Sequence, residues 1–433
     1  MSGLLLSDLV NGILRDIAEG RRHEERLLDL NRVIALYREV PSVSLGHTTT
    51  WSFFVWVSSL LAEINQQTPI RIGRLYSSRI GHLMLNLYYY LSLRRSPKEI
   101  TIFILDRSVA NSAFLNLVQM EHERLFFLGP ENSFIFDTLV HAKLIEPLVM
   151  RWKEDLHPDD FSALGGQRPL FSPLLLENEV QNRLSPLGLT TQTSFVCFHN
   201  RDSAYLEKTG GDGNFHGHRD FAFSSYETAI ETLARSGVTP VRIGSVVAEE
   251  SSPIPCLVDA TGPFSEEQSI IWLAAYAKLW VTGNSGVLHA RTIFKKPILM
   301  INAFPFTFEV LCSLPPNSVI LLRPVLNSLT GQELSPSELF QYCASYTIHN
   351  KDDVLVEHGL QMLDNSEAEI SDAVEFSLAD ENVRSEFTGD SRVTKLSAQD
   401  LFLVSNKLFA IAERLRLSIL VRGKAAFREM AHL

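Results

Sequence analysis

Along the chain the apolar residues switch between two spacings. In residues 1–66 they recur three or four apart with charges between, as in "SDLVNGILRDIAEG" and "EERLLDLNRVIALY". That is the spacing of helices that each bury one face. At "PIRIGRLY", residues 69–76, a proline bounds a short run that reads as a strand. The loop "SSRIGH" follows, and "LMLNLYYYLSLRR" reads as a helix. "EITIFILD" (99–106) and "ERLFFLG" (123–129) read as further strands. Strands alternating with helices pair in parallel, which predicts an α/β domain over about 69–170.

Residues 155–194 gather prolines and glycines around one helical piece, "PLLLENEVQNRLSPLG", as a connection between domains does. A second series then begins with the strand "TSFVCFHNRD". The helix "SSYETAIETLARSG" leads to the strands "TPVRIGS" and "IPCLVDATG". Next come the helix "SEEQSIIWLAAYAK", the strand and loop "LWVTGNSG", the helix "VLHARTIFK" and the strand "KPILMINAF". Residues 365–395, acidic and rich in small polar residues, read as a surface helix and loop, and "SAQDLFLVSNKLFAIAERLRLSILVRG" as one long amphipathic helix. The resulting division is a helical extension over 1–68, an α/β lobe over 69–170, a linker over 171–194, a second α/β lobe over 195–345 and a helical segment over 346–433. Two such lobes imply a cleft between them. Ligands of these sheets bind beyond the carboxyl ends of the strands, so chemistry is to be sought in the loops that follow them.

Composition narrows the partners. The 433 residues carry a formal charge of −11, which argues against broad nucleic-acid binding because phosphate counterions are displaced by a basic surface. An anionic ligand must therefore be held by local arginines. The four cysteines are far apart, with no spacing that points to zinc or a disulfide framework. The start "MSGLLLSDLVNGIL" has no basic region and carries Asp8 within its apolar stretch, so no signal peptide is expected and the location expected is cytoplasmic. "WSFFVWVSSLLA", residues 51–62, falls short of the roughly 20 apolar residues that span a bilayer and reads as a buried helix. Its Trp and Phe cluster also suits an interface, which leaves a peripheral membrane contact open.

Three loops could carry chemistry. In "WVTGNSGVLHA" a strand runs into Gly283, Asn284, Ser285 and Gly286 and a helix follows at once, so unpaired backbone N–H groups converge where a diphosphate would fit. The same residues also suit a plain tight turn. In "SSRIGHL", Gly81 permits close backbone approach and Arg79 supplies fixed charge, although the full dinucleotide fingerprint is absent. His82 there has the chemistry of a base for an acceptor hydroxyl, or of a residue bonded to the helix start. "FHNRD" ends a strand and "HGHRD" precedes a helix, so Arg201, Asp202, Arg219 and Asp220 could meet at one cleft. Paired arginines neutralise a pyrophosphate, and the carboxylates could orient them or hold a sugar. Arg242 in "VRIG" could join them. Exposed loop ion pairs are the bland alternative. A metal site could be drawn from His199, His216 and His218, but the His-x-His pair has no third ligand at a recurring spacing, and no metal is expected.

Taken in order, "SSRIGHLMLNLYYYL", "FVCFHNRDSAYL", "HRDFAFSSYETAIETLARSGVTPVRIG", "WLAAYAKLWVTGNSGVLHARTIFKKPILMIN" and "VEHGLQMLDNSEAEISDAV" resemble a bacterial family of predicted glycosyltransferases associated with surface-polysaccharide and glycoconjugate synthesis. The resemblance covers roughly residues 69–380. It implies a GT-B-like fold of two Rossmann-like lobes, with the nucleotide-sugar donor on the C-terminal lobe and a glycan, lipid-linked or protein acceptor on the N-terminal one. Carried over by position, the donor-binding residues are Arg201, Arg219, Arg242, Gly244 and Gly283 to Gly286. Asp220 belongs to the same element and is counted with His82 as a catalytic candidate. The "FHGH" before Arg219 has no counterpart in the family. With no Asp-x-Asp at a strand end, transfer is expected to need neither metal nor cofactor, and His82 is the candidate base if the reaction inverts. An epimerase or hydrolase on the same fold, or a non-catalytic nucleotide-sugar-binding protein, would use the same pocket.

Overall fold

The computed structural model describes residues 70–93, 99–122, 124–130, 146–147, 177–208, 217–248, 254–262, 267–305, 308–344, 352–380, 392–400 and much of 410–422. The helices expected over 1–66, the apolar segment 51–62 and His216 lie outside the described residues. The chain is mixed α/β, and its largest sheet is parallel except at one edge.

Strands β1 (Ile70–Leu75), β2 (Ile100–Leu105), β3 (Leu125–Leu128) and β4 (Glu146–Pro147) form one sheet in the order β3-β2-β1-β4, all parallel. Helices α1 (Ile80–Leu93) and α2 (Ser112–Glu121) follow β1 and β2. The first five residues of β2, "ITIFI", are buried, as befits a parallel strand covered on both faces. By internal contacts the chain divides into two compact units. One comprises residues 1–78, 94–109 and 118–150 and holds this sheet; the other comprises 79–93, 110–117 and 151–433. Helix α1 therefore belongs with the second unit.

After α3 (Glu177–Leu184), the second unit contains β5 (Phe195–His199), α4 (Glu227–Arg235), β6 (Thr239–Gly244), β7 (Val258–Thr261), α5 (Glu267–Tyr276), β8 (Leu279–Thr282), β9 (Ile298–Ala303) and β10 (Val319–Leu322). A hairpin-like pair, β11 (Val325–Asn327) and β12 (Leu360–Met362), precedes α6 (Glu367–Leu378), β13 (Val393–Lys395) and β14 (Ser418–Arg422). The eight-stranded order is β13-β14-β10-β9-β8-β5-β6-β7. The chain enters at β5, builds outward through β6 and β7, then returns to the other side of β5 with β8 and builds through β9 and β10. This reversal makes a crevice at the carboxyl ends of β5 and β8, the topological switch point of a doubly wound sheet.

The sheet is buried because its strands are apolar on both faces: all six residues of β9 and all four of β8 and β10 are buried. On one face α4 and α6 cover it, with Ile230, Leu233, Ile370, Val374 and Phe376 against Val196, Val281 and Leu299. Two expectations change here. Helix α6 lies in the stretch read as a surface segment, yet Ile370, Ala373, Val374 and Phe376 are core residues. Its acidity misled because Glu369 is buried with partners: it closes a capping box with Ser366 and accepts from Arg422 Nε at 2.7 Å. The single helix expected to the end of "SILVRG" is not formed, since Ser418–Arg422 is a strand between β10 and β13. "SILVR" holds a three-residue apolar run with β-branched Ile419 and Val421, and so short a run does not separate a buried strand from the end of a helix.

No helix among the described residues is long and apolar enough to cross a membrane.

Candidate functional site

At the switch point, His199 ends β5 and Thr282 ends β8, and the imidazole Nδ1 lies 3.3 Å from the Thr282 hydroxyl oxygen. That hydroxyl donates onward to the Gly283 carbonyl at 3.1 Å. Beneath them Tyr226 donates to the His199 carbonyl at 2.9 Å, its ring held edge-on by Phe198, Phe221 and Phe223. "DFAFSSY" is thus an aromatic anchor under the crevice, and α4 starts only at Glu227. Burial, then the charges of Arg201 and Arg242, push the His199 imidazole down to about 4, so it is neutral at pH 7. Burial also raises the Tyr226 phenol well above its ordinary value.

The loop after β5 is braced from several sides. Arg201 forms an ion pair with Asp220. Since Asp220 follows Arg219, that pair ties the turn Gly217–Arg219 to the β5 loop, assisted by the Phe221 amide donating to the Arg201 carbonyl at 3.3 Å. Asn200, buried, donates to the Phe221 carbonyl at 3.1 Å, while its Oδ1 has no hydrogen-bond partner among the described residues. Asp202 accepts from the amides of Ala204 at 3.1 Å and Ala248 at 2.9 Å, joining the loops after β5 and β6. These bonds give the Asp202 carboxylate a fastening role. Arg242 lies within β6, fully buried, with its guanidinium 4.1 Å from the centre of the Phe223 ring. A Cβ on Gly244, at the strand end, would stand 2.9 Å from Val247 Cγ1.

The loop after β8 is held by close backbone packing. A Cβ on Gly283 would stand 2.7 Å from the Phe221 ring. The Asn284 side chain is buried and donates to the Pro305 carbonyl at 3.1 Å, so its amide braces the turn from within. Ser285 is extended and leads into a turn of 3-10 helix, Gly286–Leu288, then four α-helical residues, His289–Thr292. The helix expected here is shorter than its sequence suggested, which leaves little macrodipole. What the turn offers is the Gly286 and Val287 N–H groups, the first of a helical turn and so without acceptors inside it.

Gly286 meets Gly81 at the start of α1. A Cβ built on Gly81 would stand 2.6 Å from Gly286 Cα, and one on Gly286 would stand 3.0 Å from Gly81 Cα. Both contacts are backbone to backbone, so nothing flexible can yield. Residues 79–82 and the 283–286 turn, all in the second unit, therefore belong to one site, with His82 and Arg79, both exposed, on either side of Gly81 in the chain. Gly81→Ala is expected to cost about 1–3 kcal/mol in urea unfolding, the usual range for overpacking. Unchanged stability would show that the two backbones can separate freely.

Opposite, Arg323 at the end of β10 is buried and donates to the His218 carbonyl, pairs with Asp364 and reaches the Leu363 carbonyl at 3.3 Å. It fixes the turn that carries Arg219. Among the described residues no three His, Cys, Asp or Glu side chains are grouped to hold a metal ion. His199 and His218 each have separate structural partners, and His216 is outside the described residues.

No protein-family model matches the chain, and a search of curated proteins finds no match. Among solved structures the chain is similar to the ADP-heptose lps heptosyltransferase II of E. coli, at 14% identity and a TM-score of 0.34 over 54% of this chain and 84% of that one. It is also similar to a glycosyl transferase family 9 protein of Veillonella parvula, at 13% identity and a TM-score of 0.34 over 54% and 81%. The wall teichoic acid polymerase TagF is more distant, at 9% identity and a TM-score of 0.25 over 58% and 74%. Likenesses at this level leave function to the geometry of the site.

That geometry brings Arg201, Asp220, the Arg219 turn and the 283–286 loop around the ends of β5 and β8, with Arg242 beneath them. Sequence reasoning weighed His199 only as a metal ligand and passed over Thr282, because only strand pairing places the two side by side. It also passed over Arg323 and Tyr226. The pattern "RIGHL" against "GNSGV" did carry a signal for the glycine crossing, in that each loop holds a glycine where a helix begins.

Proposed function

We propose that this protein is a glycosyltransferase that moves a sugar from a nucleotide-sugar donor to a glycan, lipid-linked or protein acceptor. The observation that carries this reading is the coincidence of the switch-point crevice with the arginines and the glycine turn that the sequence resemblance assigns to the donor. Arg201 and Arg219 meet the diphosphate charge, the Gly286 and Val287 amides add hydrogen bonds, and Arg242 contributes positive potential from below. Such preorganised donors stabilise the charge that develops on the leaving diphosphate, often the largest catalytic contribution. Asp220 orients Arg201. His82, beside the Gly81–Gly286 crossing, is the candidate base for the acceptor hydroxyl. Charge neutralisation by arginine gives a transfer that needs no metal.

The test is a thermal-shift screen of the full chain against UDP, GDP, CMP, dTDP and ADP sugars, with and without EDTA, followed by product analysis with and without acceptor. A donor at 100 times its dissociation constant should add about 2.7 kcal/mol of apparent stability. Stabilisation by one nucleotide class that survives EDTA, with turnover that depends on acceptor, supports the reading. Rapid donor hydrolysis or isomerisation without acceptor would favour the epimerase or hydrolase, and binding without any turnover a binding protein. Arg219→Ala is expected to weaken donor binding by about 1.5–3 kcal/mol, the worth of a hydrogen bond to a charged group. His82→Ala should keep donor affinity and lower turnover. Unchanged donor affinity in Arg219→Ala would overturn the pocket assignment.

A further inference from the structure

His199 ends β5 at the switch point, half-buried and opposite Thr282 of β8, and has no part in the charge neutralisation described above. One arrangement of the Thr282 hydroxyl satisfies both of its neighbours and sets which ring nitrogen carries the proton. The hydroxyl has one proton, and donating it to the Gly283 carbonyl at 3.1 Å leaves the oxygen to accept from the ring. Toward His199, Thr282 can then only accept, so Nδ1 carries the hydrogen and Nε2 is left with its lone pair. Nε2 makes no hydrogen bond among the described residues. A second proton there is disfavoured by the two guanidinium groups that act on the ring, Arg201 from the β5 loop and Arg242 from β6. Arg201 is itself paired with Asp220, and the hydrogen-bond partners of His199 among the described residues, Thr282 on β8 and the Tyr226 hydroxyl at its carbonyl, are uncharged. The β5 end therefore offers an acceptor in a crevice whose other ligand-facing groups, the arginines and backbone amides, are donors.

An acceptor of this kind does not fit a phosphate oxygen, which brings only lone pairs. It fits a hydroxyl. We infer that His199 Nε2 accepts a hydrogen bond from a hydroxyl of the bound nucleotide sugar, on either its ribose or its transferred sugar, and so selects and orients the donor beside the diphosphate site. This assignment rests on the glycosyltransferase reading. Neighbouring Asn200 Oδ1, buried and without a partner among the described residues, is a second acceptor at the same strand end.

The experiment is calorimetric titration of the full chain, parent and variants, with the nucleotide sugar selected by the thermal-shift screen. The same nucleotide without its sugar, the 2′-deoxy and 3′-deoxy forms of that nucleotide, and inorganic pyrophosphate serve as companion probes. His199→Phe removes the acceptor and His199→Gln retains one at the Nε2 position. The expected result is a loss of tenfold or more in affinity for His199→Phe with the nucleotide sugar, a loss under threefold for His199→Gln, and no loss with pyrophosphate. If the loss vanishes with one deoxynucleotide, the hydroxyl is that of the ribose; if it vanishes on removing the sugar, it is that of the sugar. Parent affinity should be flat between pH 6 and 8, since the ring is neutral and the diphosphate of a nucleotide sugar keeps a fixed charge over that range. An equal loss for pyrophosphate, or affinity that falls as pH rises through this range, would mean that His199 serves the phosphates and overturns the inference. His199→Phe binding as well as the parent overturns it too, and leaves the glycosyltransferase reading standing. Absence of any parent binding overturns both. Should His199→Phe fail to fold, His199→Gln against His199→Leu carries the same comparison.

Discussion

Arg291→Met is expected to lower the free energy of unfolding by about 3–5 kcal/mol, since buried carbonyls that lose a charged donor cost about 1–3 kcal/mol each, offset in part because the removed guanidinium no longer has to be desolvated. Arg291 is fully buried beneath the loop after β8. Its guanidinium donates to the carbonyls of Ala274 at 2.6 Å, Ala277 at 2.8 Å, Lys278 at 3.1 Å and Pro297 at 3.2 Å. Three of these belong to the end of α5 and the turn after it, where a helix leaves its last carbonyls without N–H donors of its own and where a cation suits the dipole. Arg291 thus closes α5 and fastens the turn into β8 to the turn into β9. Burial lowers the guanidinium to about 9, still protonated at neutral pH. Methionine fills similar volume and leaves four carbonyls unsatisfied. Urea unfolding of parent and variant measures the difference, and a loss below about 1 kcal/mol, no more than one ordinary hydrogen bond, would show that these carbonyls find other donors.

The second large effect is on acid stability. His199 has an ordinary value of 6.5 when unfolded and about 4 when folded. Above pH 6.5 both states are neutral and the group contributes no pH dependence. As pH falls from 6.5 toward 4 the unfolded state takes up the proton and the folded state does not, so stability declines with falling pH. With about 1.36 kcal/mol for each unit of pKa difference, and some relief from the crevice edge of the ring, the loss is roughly 2–3 kcal/mol by pH 4. His199→Gln lacks this titration. Denaturant unfolding of both proteins from pH 7 to 4 should show the parent losing stability more steeply by that amount. Parallel curves would place the imidazole in an environment where it charges as readily as in water.

Both effects come from side chains whose importance the sequence does not display. Arg291 sits in "HARTIFK", which reads as a polar position on an amphipathic helix. Only the meeting of α5, β8 and β9 surrounds it with carbonyls. His199 looked like one member of a sparse histidine set, and it took its place at the switch point when β5 and β8 paired in register with His199 opposite Thr282. The arginine loops were legible as loops because charge and chain breakers follow an apolar strand there, while the structural work of Arg323 and Asp202 at strand ends shows only in the tertiary contacts.

What the sequence determined by itself is the local part: the strands β1, β2, β3 and β5 to β9, helices α1, α4 and α5, and the loops that hold Arg201, Arg219 and Gly283 to Gly286. These follow from apolar spacing, chain breakers and charge, which act over a few residues. Only the tertiary structure decided the rest. The order of the strands, the entry of "SILVR" into the sheet, the burial of Glu369 and the crossing of Gly81 with Gly286 depend on residues tens to hundreds of positions apart. An apolar run buries equally well in a strand or a helix until a neighbouring strand edge offers its hydrogen bonds, and a carboxylate remains a surface residue until a buried arginine pairs with it.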